Sequence, residues 1–175
     1  ELTRRGYRMT ALDWSEPFLA VAREKASGAG VEVDFVQSDM RAMEFRDEFD
    51  GAFLWENTFG IFDDAGNLAV LRCVAQALKP GGRLLVANNA PRGYGEPRKT
   101  WQGDPERDEW LFLYEGLPFD VRQHRNGFLV TLWNLRTGER KTHSFSTREY
   151  AFPDMVRMLG EAGLRFVEVH GDDVN

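Results

Sequence analysis

The chain has 175 residues, a formal net charge of −6, 42% apolar and 13% aromatic residues. That length suits one domain with a core of its own, and the apolar content excludes a disordered chain. The acidic balance argues against a general nucleic-acid surface, and no apolar run reaches the ~18 residues a membrane-spanning helix needs.

In chain order, residues 7–12 read as a strand that ends on Asp13. Ser15-Glu16-Pro17 then reads as a helix start with proline in the first turn. Phe18, Leu19, Val21, Ala22 and Ala26 give that helix an apolar face, and Gly28-Ala29-Gly30 stops it. Residues 31–36 form a second β-rich run, closing on Gln37-Ser38-Asp39, and residues 49–55 a third. Asp63-Asp64 caps a helix whose apolar positions Leu68, Leu71, Val74, Ala75 and Leu78 repeat at three and four. Lys79-Pro80-Gly81-Gly82 shapes the turn that ends it, and residues 83–87 are a fourth, nearly all-apolar strand.

Strands that are apolar throughout and separated by helices predict a parallel sheet covered on both faces, and right-handed crossovers make it doubly wound α/β. After Asn88 the pattern changes. "NNAPRGYGEPRKTWQGDPERDE" reads as a loop. Residues 121–125, 128–135 and 140–145, joined by Asn126-Gly127 and Thr137-Gly138, predict an antiparallel meander. A last helix is expected from Thr147 through Phe152, Met155, Val156 and Leu159 to Gly163, and a last strand over residues 164–169.

Ligands of an open parallel sheet bind outside the carboxyl ends of its strands. Those ends carry Asp13, Asp39 and Trp55-Glu56-Asn57. An aspartate there can accept both hydroxyls of a ribose or cap the next helix, and spacing leaves both roles open. Asp39 equally suits a solvated turn, Met40 and Trp55 the core, and Glu56 a polar loop. His124, His143 and His170 have no ligand spacing, and no His/Cys/carboxylate cluster suggests a metal site. The single cysteine, Cys73, lies among apolar residues at helical spacing, which suits a small buried hydrophobe; with no intrachain disulfide open to it, the chain fits a reducing cytoplasm. Tyr94, Trp101, Trp110, Phe112, Tyr114, Phe128 and Trp133 give the later segment an aromatic character suited to roofing a pocket, to a dimer face, or to packing the meander on the sheet.

Four stretches, "GYRMTALDWSEPFLAVAREKA", "VEVDFVQSDMRAMEF", "EFDGAFLWENTFGIF" and "ALKPGGRLLVANN", come in the order and spacing of class I S-adenosylmethionine-dependent methyltransferases. "STREYAFPDMVRMLGEAGLRFVEVHGD" resembles the closing helix and strand of small-molecule members. The resemblance implies a Rossmann-like methyltransferase fold, S-adenosylmethionine as cofactor, and methyl transfer to a small-molecule acceptor. Carried onto this chain, Asp13 resembles the acid that grips the cofactor ribose and Trp14 the residue packed on adenine. Asp39 resembles the acceptor of the adenine amino group, with the Met40 N–H offered to a ring nitrogen. Trp55 to Asn57 match the loop along the methionine part, with Glu56 a candidate base and Asn57 a substrate-orienting residue.

The family's glycine-rich loop and the strand before it are not among these residues. "ELTRRG" resembles the tail of the helix that follows that loop. The expectation is therefore one domain over residues 1–175, incomplete at its start and end, with residues 91–146 inserted as loop and meander. Two other readings stay open: a nicotinamide-dependent oxidoreductase, which also uses an acid for its ribose, and a methyltransferase-like assembly module that lacks catalysis.

Overall fold

The computed structural model describes residues 1–55, 58–87, 99–103 and 109–171. Its first half holds four strands with helices after the first and third: β1 (Thr10–Asp13), α1 (Glu16–Gly28), β2 (Asp34–Gln37), β3 (Phe49–Leu54), α2 (Asp64–Ala77) and β4 (Leu78–Val86). Both strand pairs are parallel, as all-apolar strands between helices predict. β1 lies on β2 with Asp13 opposite Gln37, and β3 lies on β4 with Leu54 opposite Val86. The expected single sheet is observed as two separate two-stranded ladders, because no described strand pairs with both β1 and β3. β4 starts earlier than predicted, since Leu78 already pairs with Phe49. Residues 79–82 then leave the ladder before Arg83 rejoins it opposite Gly51, so Lys79-Pro80-Gly81-Gly82 does form a turn, but within the strand.

α2 is the centre of the packing. Asp63 caps it, its carboxylate accepting the Gly66 N–H at 2.8 Å. One side of the helix buries Leu71 with Phe59, Met158 and Ala162, and the other buries Val70 and Val74 with Leu78. Leu54 and Leu84 pack against both groups, so the β3–β4 pair is held firmly to the helix. α1 is less well covered: only Leu19 of its predicted apolar face is buried, while Phe18 and Val21 are exposed.

The second half holds a four-stranded antiparallel sheet of β5 (Lys99–Gln102), β6 (Trp110–Gly116), β7 (Arg125–Asn134) and β8 (Arg140–Arg148), paired in chain order. The meander is present and its details differ from the sequence reading. β5 and part of the β6 approach fall in the stretch read as loop. The Thr137-Gly138 turn is where expected, with the Gly138 N–H on the Asn134 carbonyl. Asn126-Gly127, by contrast, lies inside β7, opposite Thr147 and Ser146. Tertiary contacts override the hairpin signal there: the Asn126 amide donates to the buried Glu149 carboxylate, and a Cβ on Gly127 would crowd Leu117 at 3.1 Å. The turn forms instead at residues 120–125, where the Asp120 carboxylate accepts the Arg122 and Gln123 N–H groups.

Thr147, read as a helix start, is buried within β8, and α3 (Phe152–Glu161) begins later with Pro153 in its first turn. Residues 164–169, read as a strand, find no ladder partner. No described helix is long and apolar enough to cross a membrane.

Candidate functional site

The carboxyl ends of β1 and β2 lie side by side. The Ser38 N–H donates to the Asp13 carbonyl at 3.1 Å, and the Gln37 side-chain amide donates to the Trp14 carbonyl at 3.2 Å. Asp13 itself turns the chain into α1, its Oδ1 accepting the Ser15 N–H at 2.8 Å. Ser15 is the N-cap residue but makes no side-chain capping bond, so the helix entrance rests on Asp13. This uses one oxygen. Oδ2 has no hydrogen-bond partner among the described residues, so the turn role leaves the carboxylate an acceptor for a ligand. Beside it Trp14 stands 79% exposed, uncovered by any element among the described residues.

Two residues after β2, Asp39 is engaged by Arg41. Its Oδ1 accepts the Arg41 N–H at 2.8 Å, and the guanidinium closes on both oxygens, with Nη2 to Oδ2 at 2.6 Å. These bonds hold the Asp39 carboxyl well below the usual range, at about 2, so it stays ionised at any physiological pH. The same guanidinium lies over the Phe62 ring at 4.1 Å. Met40 packs its side chain against Val70, Val74 and Leu78, as a core residue would, and its N–H has no partner among the described residues. Arg41 and Gln37 were missed in the sequence. An arginine two positions after a strand-end aspartate is a legible signal for such a pair; the amide of Gln37 carries none.

Trp55 stands at the tip of β3, 54% exposed, its carbonyl accepting both the N–H and the hydroxyl of Thr58. Glu56 and Asn57 lie outside the described residues. Trp55 faces a cleft it shares with the β4 edge, α3 and residues 163–171, and none of Asp13, Trp14, Asp39 or Met40 lines that cleft. The structure thus gathers Asp13, Trp14, Asp39 and Met40 at one end of the β1–β2 pair, and sets Trp55 at the end of the other pair. The two are joined by the segment after β2, whose Met40 and Met43 pack on the same cluster as Ala52 and Leu54 of β3.

Other candidates separate. The Cys73 thiol donates to the Arg41 carbonyl at 3.2 Å, and burial pushes its pKa up, which suits an inert packing residue. No group of three or more His, Cys, Asp or Glu side chains converges among the described residues. The aromatic residues divide across the antiparallel sheet. The register puts Trp110, Phe112, Tyr114 and Phe128 on one face and Trp101 and Trp133 on the other, where their rings meet at 6.4 Å. Tyr94 lies outside the described residues.

Residues 1–82 match the family model described as a methyltransferase domain. A demethylmenaquinone methyltransferase of Thermus thermophilus is 36% identical over 87 residues, which cover 49% of this chain and 38% of that protein. A ubiquinone biosynthesis O-methyltransferase of Aeromonas salmonicida is 32% identical over 97 residues, 53% of this chain and 40% of that one. The match therefore spans about two-fifths of the length of these curated relatives. Among solved structures, an S-adenosylmethionine-dependent methyltransferase from Clostridium acetobutylicum superposes with a TM-score of 0.73 at 17% identity, covering 89% of this chain and 63% of that one. Residues 1–82, which carry Asp13 and Asp39, are thus similar to a methyltransferase domain, and the fold over 89% of the chain is that of a solved S-adenosylmethionine-dependent methyltransferase.

Proposed function

We propose that the protein transfers a methyl group from S-adenosylmethionine to a small-molecule acceptor by in-line displacement. When bound, S-adenosylmethionine supplies a methyl group already activated by its positive sulfur, so the protein's work is binding, orientation and exclusion of water. The residues at the ends of β1 and β2 suit such a ligand chemically. An open carboxylate oxygen on Asp13 is an acceptor for ribose hydroxyls, the exposed Trp14 ring a surface for a purine, and the Met40 N–H a donor for a ring nitrogen. Asp39, pinned by Arg41, retains lone pairs for an adenine amino group. In this reading Trp55 borders the methionine part, Glu56 takes a proton from the acceptor where one must leave, and Asn57 orients it. Residues 1–175 act as one doubly wound domain, with residues 91–146 inserted on the acceptor side.

The observation that carries the reading is the half-used Asp13 carboxylate beside an uncovered indole, inside the matched segment. Titration calorimetry of the full-length protein tests it. S-adenosylhomocysteine is expected to bind at micromolar strength, about −8 kcal/mol, and NAD not at all. Binding of NAD in its place would point to an oxidoreductase, and binding of neither to an assembly role.

A further inference from the structure

The antiparallel sheet reaches across to the loop after β3 through an arginine that no cofactor contact accounts for. Arg125, the first residue of β7, is partly buried. Its Nη1 donates to the Phe62 carbonyl at 2.9 Å. Nη2 donates to the carbonyls of Ile61 at 3.2 Å and Ser146 at 2.8 Å, with that of Gly60 at 3.5 Å, and Nε donates to the Ser146 hydroxyl at 2.8 Å. Three successive carbonyls, 60 to 62, thus turn toward one cation 63 to 65 residues away in the chain. The Gly60 carbonyl also accepts the Arg148 N–H and the Phe62 carbonyl the Asn67 side-chain amide at 3.0 Å, but only the Arg125 guanidinium, with its donors in a planar fork, reaches all three.

Arg148 adds a second hold. Its backbone N–H donates to the Gly60 carbonyl at 2.6 Å, and its Nε pairs with the Asp64 carboxylate at 2.9 Å, at the start of α2. At its other end the gripped loop begins at Thr58, which binds the Trp55 carbonyl twice. The tip of β3 is therefore one hydrogen-bonded step from the segment that Arg125 gathers.

We infer that Arg125 is a positioning residue for the cofactor: by drawing together the carbonyls of residues 60–62 it sets the loop after β3, and through Thr58 it sets Trp55 for the methionine end of the ligand. The inference rests on the methyltransferase reading. It assigns the antiparallel sheet a part in binding that its own side chains do not take directly.

The test compares the full-length protein with Arg125→Lys, which keeps the charge without the fork, and Ser146→Ala, a milder loss of one acceptor. S-adenosylhomocysteine affinity is measured by calorimetry, and backbone exchange of residues 58–63 and 70–77 by hydrogen–deuterium mass spectrometry. For Arg125→Lys the expected result is an affinity about tenfold weaker, with faster exchange confined to residues 58–63. For Ser146→Ala about threefold weaker affinity is expected, with the same local signature. A purely structural arginine would lower the melting temperature and leave both affinities within about twofold of the parent, and that outcome overturns the inference alone. If the parent protein binds no S-adenosylhomocysteine, the cofactor reading falls and this role falls with it.

Discussion

Replacing Phe59 with alanine is expected to lower the unfolding free energy by about 3–5 kcal/mol. The ring is 1% exposed and packs with Leu71, Met158 and Ala162, where α2 meets α3. Tyr150 lies 5.6 Å away and is itself tethered, its hydroxyl donating to Asp64 and accepting from Asn67. Burial and the Asp64 carboxylate hold the Tyr150 hydroxyl protonated far into the alkaline range, so this tether keeps its geometry at neutral pH. With α2, α3 and a hydrogen-bonded tyrosine around it, the space left by the phenyl group cannot collapse easily, which places the cost at the upper end for such truncations. Urea unfolding followed by circular dichroism measures it; a loss below about 1 kcal/mol would mean the core is not organised around Phe59. For a domain of ordinary stability the predicted loss is a large share of the total.

Gly60→Ala is expected to cost about 2–4 kcal/mol, from two sources that can be separated. The backbone at Gly60 has φ +98°, and a Cβ built there would lie 2.5 Å from the Arg148 carbonyl oxygen. The contact is backbone against backbone, and the Arg148 N–H is bound to the Gly60 carbonyl across the same gap, so neither side can yield without breaking the other. Gly138→Ala is the control. Its φ is +75°, but nothing lies within 4 Å of its Cβ, so it carries the conformational cost of about 1 kcal/mol without the clash. Equal losses at the two positions would refute the tight approach of loop and sheet at Gly60.

Both predictions fall on the loop between β3 and α2, which the sequence announces poorly. Strand-end acids and helix caps are local signals, and they were legible: Asp63 caps α2, Pro17 enters α1, Asp13 ends β1, and Asp39 follows β2 by two residues. The grip on residues 60–62 depends on Arg125 and Arg148, more than 60 positions further on, and no periodicity connects them. The same distance effect explains the errors in the second half. Asn126-Gly127 has the chemistry of a turn, yet Glu149 and Leu117 hold it extended. β6 follows a charged stretch and buries neither face fully, so its residues show no alternation to mark a strand. The parallel pairs were identified by apolar content alone; that they form separate ladders is a matter of which strands meet, and composition does not carry it.

At the candidate site the sequence indicated the acids and not their partners. The Arg41 pair on Asp39 and the Ser15 N–H on Asp13 decide how much of each carboxylate remains for a ligand. They leave Asp13 the freer of the two, with one oxygen unengaged, and so the residue on which recognition of the ribose is expected to rest.

That claim is tested most directly by calorimetric titration of the full-length protein and its Asp13→Ala variant with S-adenosylhomocysteine, with folding checked by thermal melting. The account predicts at least a tenfold loss of affinity, about 1.4 kcal/mol, in a variant that still folds. Unchanged affinity in the folded variant would contradict it.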